Sequence, residues 1–442
     1  MIRGIKNIKA LSNKRFISTA NTTTKYASLS NGVTIATESN PHAKVSSIGL
    51  FYGAGSRSEH AYSNGISALT TNILGSGLEN GVLLTSENGK ETNGIIAQTT
   101  NDNIIEASKI IAKIGSNASE IIKGSEFELF KKQLIGQGEQ LESVPQKMIL
   151  EHLSASAFQG YSLGLPTLGT SSSVKDLQVD DAERLLEKHL VGSNVVISAS
   201  GNINHDELVE TIESSLNIPQ GHKPITKPAS FLGSEVRMRD DTLPKAFVSI
   251  GVEGEGFTSP AYYVAKVAAN VFGSFDSKAT NATLTSSKLS SMVHEYHLVD
   301  KFQHFSTSYS DNGLWGFSCE VSNVQLLDDF IHWTLKEWNR LSVSITDAEI
   351  ERAKQQTKVQ LLAELNSTKS VVSDIGNKVL LSGYRNSITE ALSKIDSIQT
   401  KDVKAWAKVA LWDKDIVISS TGQTEALMDY SKWRNQMAML RW

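Results

Sequence analysis

The sequence predicts an α+β chain made by duplication, each half a sheet packed with helices, and three observations carry that prediction. Leu177–Ile203, "LQVDDAERLLEKHLVGSNVVISASGNI", aligns without gaps on Ile398–Thr424, "IQTKDVKAWAKVALWDKDIVISSTGQT". Each copy reads as a capped helix, a short loop and a β-branched strand that ends at Gly201 or Gly422. Two shorter echoes keep the same order along the chain, Ala43–Gly55 with Ala246–Gly256 and Ser125–Gln133 with Asp347–Gln355, which marks a repeat. Short strands mixed with long amphipathic helices, without a strict βαβ alternation, read as α+β.

The join between the copies is Asn217–Gly233, which holds three of the chain's eight prolines, at Pro219, Pro224 and Pro228. Proline fixes φ and lacks an N–H, so that density favours an extended linker over helix or strand. The expected domains are therefore 26–216 and 233–442, joined by a linker at 217–232. A chain of 442 residues, 40% apolar and 20% charged, has material for two cores.

Residues 1–25 stand apart. They contain Arg3, Lys6, Lys9, Lys14, Arg15 and Lys25, many Ser and Thr, and no acidic residue occurs before Glu38. Ile2, Ile5 and Leu11 can share one side of a helix with Lys6 and Lys9 off it. Basic, hydroxylated, acid-free and amphipathic describes a mitochondrial transit peptide; a basic arm is the plainer alternative. Arg15-Phe16-Ile17-Ser18 resembles a processing site, with cleavage expected near residue 17. Removing residues 1–17 takes away five positive charges and moves the formal charge from −4 to −9.

Composition excludes several classes. No lysine–arginine stripe with interleaved aromatics argues for nucleic acid. No run of 18 or more apolar residues occurs, and Tyr262–Phe275 is broken by Lys266, so a membrane span is not expected. The single cysteine, Cys319, permits neither an internal disulfide nor a cysteine zinc cage, and reads as buried filler rather than a nucleophile.

Within the first half, "SNGISALTTNILGSG" (Ser63–Gly77) reads as one helix capped by Ser63-Asn64 and closed by Gly75 and Gly77. Ile66, Leu69 and Ile73 form its packing face. Ala68, Thr71 and Asn72 fall at i, i+3, i+4 on another, the spacing of a zinc peptidase's His-x-x-Glu-His. Neither that pattern nor His-Glu-x-x-His occurs anywhere in the chain. Glu59-His60 and Glu151-His152 have Ser56 and Met148 where a partner histidine would stand. In His294-Glu-Tyr-His297 the histidines are i, i+3 with glutamate directly after the first, which does not give two ligands and a free base. The glycines of "GVEGEGFTS" and "LGSGLENG" match no phosphate-binding fingerprint, and no Gly-x-Ser-x-Gly elbow is present.

The duplication, the Asn-Gly before the helix, "GSRSE" (Gly55–Glu59), "LPTLGT" (Leu165–Thr170) and "YSDNGLWGFS" (Tyr309–Ser318) together resemble the mitochondrial processing peptidase-like family of pitrilysin-type proteins. Phe231–Glu255 and the terminal "MLRW" are similar to that family's fungal branch of respiratory complex III core subunits. The resemblance implies two peptidase-like domains, each a mainly antiparallel sheet packed with helices. It places Ala68 and Asn72 where the active family members carry zinc-binding histidines, Thr71 at the glutamate base and Gln137 at the distal glutamate. Ala offers no donor and Thr and Asn weak ones, so neither a zinc site nor hydrolysis is implied. Their face would then be a chemical relic on a helix kept for its packing side. The resemblance also implies a non-catalytic scaffold without cofactor, on the matrix side of the mitochondrial inner membrane. Its implied partners are core protein 2, cytochrome b, cytochrome c1 and other subunits of a dimeric complex. A second reading within the family is a presequence-binding processing-peptidase subunit. Such a subunit uses a glycine-rich loop, whereas Val271–Met292 holds only Gly273.

Overall fold

A computed structural model describes residues 24–438 except 281, 283, 285 and 286; the cleavage site expected near residue 17 and the terminal "MLRW" lie outside the described residues. Two sheets form. The first contains β1 (Lys25–Ser28), β2 (Thr34–Ser39), β3 (Val45–Tyr52), β4 (Leu78–Glu79), β5 (Val82–Asn88), β6 (Asn93–Thr100) and β7 (Val195–Gly201), in the order β1-β2-β7-β3-β6-β5-β4. The second contains β8 (Ser234–Arg239), β9 (Ala246–Gly254), β10 (Ser274–Asp276), β11 (Lys301–Ser308), β12 (Gly313–Val321) and β13 (Val417–Gly422), in the order β10-β11-β12-β9-β13-β8. Lys25, counted with the basic segment by composition, already pairs in β1, because composition does not mark where pairing starts.

Without β1 the two sheets have the same plan. β2 lies parallel to β7 as β8 lies parallel to β13, and every other pair is antiparallel. Identical order and identical sense establish the duplication directly. The aligned segments fold alike, as helices Val179–His189 and Thr400–Ala410 followed by β7 and β13. Gly201 and Gly422 end those strands at φ +137 and +89, where a side chain would be strained, and a Cβ on Gly422 would sit 2.1 Å from the Lys245 carbonyl oxygen.

Alternation along β3 assigns its two faces. Ile48, Leu50 and Tyr52 join the first core, under helices that include Ile66–Leu74 and Ile104–Ser116. The opposite face, with Phe51, Ala36, Ile96 and Val196, is covered by a helix of the other half, Thr368–Ser382, through Val372, Ile375 and Val379. The exchange is reciprocal. Helix Pro145–Ala157 of the first half packs on β13, β9 and β8 of the second sheet, where Leu153 and Ala157 meet Leu314 and Val417. Small residues under helix Thr368–Ser382 let the backbones approach: Ser47 Oγ lies 2.8 Å from Thr368 Oγ1, and Ser198 Oγ donates to the Val372 carbonyl at 2.8 Å. Each sheet is thus finished by the other half.

The stretch between the halves, from Leu216 to Gly233, contains neither helix nor strand. Tyr262–Phe272 is a helix packed into the second core. Among the described residues, no helix is long and apolar enough to cross a membrane.

Candidate functional site: a helix face and the junction beside it

The helix read from Ser63–Gly77 spans Ile66–Leu74, and Ile66, Leu69 and Ile73 are buried as expected. Its start differs from expectation. Gly65, at φ +98, is the N-cap residue, and neither Ser63 nor Asn64 caps the helix. The cap is Glu59, from upstream in the chain. One of its oxygens accepts from the Ser67 N–H at 2.8 Å and the Ser67 hydroxyl at 2.5 Å. The other accepts from the Gly65 N–H at 2.8 Å and Asn64 Nδ2 at 2.7 Å. Burial pushes the Glu59 carboxyl above the usual carboxylate range, against the pull of those four donors. A carboxylate there also satisfies free N–H groups and complements the helix dipole.

Ala68, Thr71 and Asn72 share one side of this helix, and they are not idle. The Thr71 hydroxyl donates to the Ser67 carbonyl at 2.7 Å, so Tyr52, 2.6 Å away, must donate its own proton to Thr71. Burial pushes the Tyr52 phenol up to about 12, with Thr71 and Asn93 pulling it down. Asn72 Oδ1 accepts from Ser86 Oγ at 2.7 Å and from Asn88 Nδ2 at 3.0 Å, so both its lone pairs are committed. These side chains tie the helix to β3 and β5. Thr71 and Asn72 thus help to hold the helix alongside its apolar face, because polar groups withdrawn from water must find partners. Gln137 lies on helix Phe127–Glu142, which packs on Ile66–Leu74 through other residues, and Gln137 itself is exposed.

The other chemistry-bearing groups are accounted for by packing. His294 and His297 lie at the end of helix Lys288–Tyr296 with ring centroids 6.3 Å apart, and no group of three metal-binding side chains forms among the described residues. Burial holds the Cys319 thiol well above its ordinary value, so it stays protonated. Burial also lowers His304 to about 3, and its neutral ring accepts from Trp338 Nε1 at 3.2 Å inside the second core.

Beside the helix, the quoted motifs converge. Arg57 of "GSRSE" makes a two-pronged pair with Asp311 of "YSDNG", Nη1 to Oδ1 at 2.6 Å and Nη2 to Oδ2 at 2.7 Å. Arg57 Nη1 also reaches Glu91 at 2.7 Å, and Glu91 accepts from the Ser310 N–H at 2.8 Å. Glu91 and Ser310 occupy equivalent β5–β6 and β11–β12 turns, so the two halves meet turn to turn around one guanidinium. "LPTLGT" closes the cluster, its Leu165 carbonyl accepting from Ser56 Oγ at 3.2 Å and Lys90 Nζ at 3.1 Å. Burial alone would lower Arg57 and raise Asp311. Their mutual pairing prevails, holding the guanidinium above and the carboxyl below their ordinary values. A second crossing joins Arg385 to Glu38 on β2 and, at 2.7 Å, to Asp374.

The sequence family described as "Insulinase (Peptidase family M16)" matches residues 34–105, and "Peptidase M16 inactive domain" matches residues 176–357. The chain is 56% identical to a "Cytochrome b-c1 complex reductase subunit, mitochondrial" of Candida albicans, over 100% of both chains. It is 43% identical to "Cytochrome b-c1 complex subunit 1, mitochondrial" of Saccharomyces cerevisiae, again over 100% of both. A chain of the solved structure "Complex III2 from Candida albicans, Inz-5 bound" superposes with TM-score 0.92 at 57% identity, covering 93% of this chain and 99% of that one. Processing-peptidase β subunits match at lower identity.

Proposed function

The chain belongs to peptidase family M16, and from that membership we propose that it is a non-catalytic structural core subunit of the cytochrome b-c1 complex, required for the complex to assemble and persist. The observation that carries this reading is the full-length sequence likeness to b-c1 subunits, together with the structural likeness, over 93% of this chain, to a chain of a solved complex III. The site agrees with it. Peptide hydrolysis by a zinc peptidase needs an ion that acidifies water and a carboxylate that takes the proton. We assign Ala68, Asn72 and Gln137 to the ligand positions and Thr71 to the base; none of the four can supply an acidic or imidazole donor. Loss of those groups removed the chemistry, while Glu59, Tyr52, Ser86 and Asn88 kept the helix in place. The partners that fit are core protein 2, cytochrome b and cytochrome c1, on the matrix side of the inner membrane. The subunit itself holds no cofactor in this reading and contributes surface and rigidity.

Deleting the chain tests this. Assembled cytochrome b and cytochrome c1 are expected to fall together on a native gel, because partners are stabilised by the surface that binds them. Presequence cleavage of imported precursors should continue. Normal complex without the chain, together with accumulating precursors, would favour the presequence-binding alternative. Elemental analysis of the purified subunit should find no stoichiometric zinc; about one tightly held ion per chain, lost on His294→Ala or His297→Ala, would contradict the assignment. The mature subunit should begin near Ser18, and mass spectrometry showing an intact Met1 would remove the transit-peptide reading.

A further inference from the structure

We propose that the polypeptide link between the halves is dispensable once the chain has folded: the molecule is a pair of mutually completing halves, and severing the backbone beside Ile225 leaves the pair joined. This goes beyond the scaffold reading and does not depend on it. Each sheet has one face that only the other half can cover. For the first sheet the cover is helix Thr368–Ser382, seated around Phe51; for the second it is helix Pro145–Ala157, seated on Leu314 and Val417. Arg57 with Asp311, and Arg385 with Glu38, also cross between the halves through side chains that lie outside the linker.

The linker is pinned along its length except at its tip. Ile225 is 99% exposed. Upstream, Lys223 Nζ donates to the Leu380 carbonyl of the second half at 2.7 Å. Downstream, the Lys227 carbonyl accepts from Arg57 Nη2 at 2.9 Å, and the Leu232 N–H donates to the Ala157 carbonyl at 2.8 Å, both in the first half. Each end left by a cut at Ile225 is therefore held by the half to which it does not belong. Cutting removes only the high effective concentration that a tether provides, which matters in dilute solution and not at an interface already this well anchored.

The test uses the full chain with a specific protease recognition sequence inserted between Ile225 and Thr226, cleaved to completion and run on size exclusion at micromolar concentration. The two fragments are expected to co-elute at the volume of the uncut chain. Fragments that separate or aggregate on cleavage, while the uncut chain stays monodisperse, would overturn the proposal. An insertion between Thr226 and Lys227 leaves the same anchors on the same sides and replaces the first if that one disturbs folding. Phe51→Ala in the cut protein should raise the concentration at which the fragments part by roughly a hundredfold or more. Cut fragments held as tightly with Phe51→Ala as without it would show that the exchanged helix is not what joins them.

Discussion

Phe51→Ala is expected to lower the stability of the folded chain by about 3–5 kcal/mol, the range for removing a fully buried phenylalanine. Phe51 is 0% exposed and, among the described residues, is the one aromatic ring in the hydrophobic cluster between the first sheet and the helix supplied by the second half. Three glycines make room for it. A Cβ would fall 2.6 Å from the ring at Gly49, 2.4 Å at Gly94 and 2.3 Å at Gly376. With so little slack the surrounding backbone cannot close over the hole, which places the loss toward the upper end of the range. Gly376→Val should destabilise for the converse reason, by pushing helix Thr368–Ser382 off its seat. Denaturant unfolding of the purified chain measures both; a loss below about 1 kcal/mol for Phe51→Ala would mean that the exchanged helix contributes little.

Arg57→Ala is expected to cost a similar amount, about 3–5 kcal/mol, because it strands buried charge rather than because the pairs are individually strong. The side chains of Arg57 and Glu91 are 5% and 8% exposed, and both Asp311 and Glu91 lose their cation. Arg57→Lys should recover only part of the loss, since an ammonium cannot make the two-pronged contact with Asp311 while also reaching Glu91 and the Lys227 carbonyl. The acid limb gives an independent reading. Asp311 is held below its ordinary value of 3.8, so its contribution is present above that pH and is lost as the pH falls toward the lower folded value. Glu59 acts with the opposite sign, its raised folded value making it less costly as the pH falls. Arg57→Ala should therefore flatten the loss of stability below pH 3.8 without touching the Glu59 contribution. An unchanged acid limb in Arg57→Ala would exclude the pair as its source.

How far the sequence discloses this arrangement depends on the distance over which each feature acts. The aligned segments at Leu177 and Ile398 reveal the duplication because a helix, a loop and a strand are local. The same holds for the packing side of Ile66–Leu74. The helix exchange is not local. Ile149, Leu153 and Ala157 show that a helix has a buried face, and nothing in their spacing says which sheet it covers. β3 carried the sharper signal: "SSIGLFY" is apolar or small at every position, which a strand shows when both of its faces are buried. The helix cap was misread because Ser63-Asn64 fits the local rule, whereas Glu59 comes in from a preceding turn. Thr71 and Asn72 look vacant when read against a zinc site, since their partners Tyr52, Ser86 and Asn88 lie on strands that folding brings alongside. Arg57, Glu91 and Asp311 are unremarkable turn charges until the two hairpins meet.

A subunit that supports the b-c1 complex only through its joined halves should change how much complex assembles and not how fast each complex turns over. The most direct measurement is antimycin-sensitive quinol–cytochrome c reductase activity, divided by the amount of assembled complex, in cells whose only copy carries Arg57→Ala. Less assembled complex with an unchanged turnover per complex is expected. A normal amount of complex with reduced turnover would contradict it.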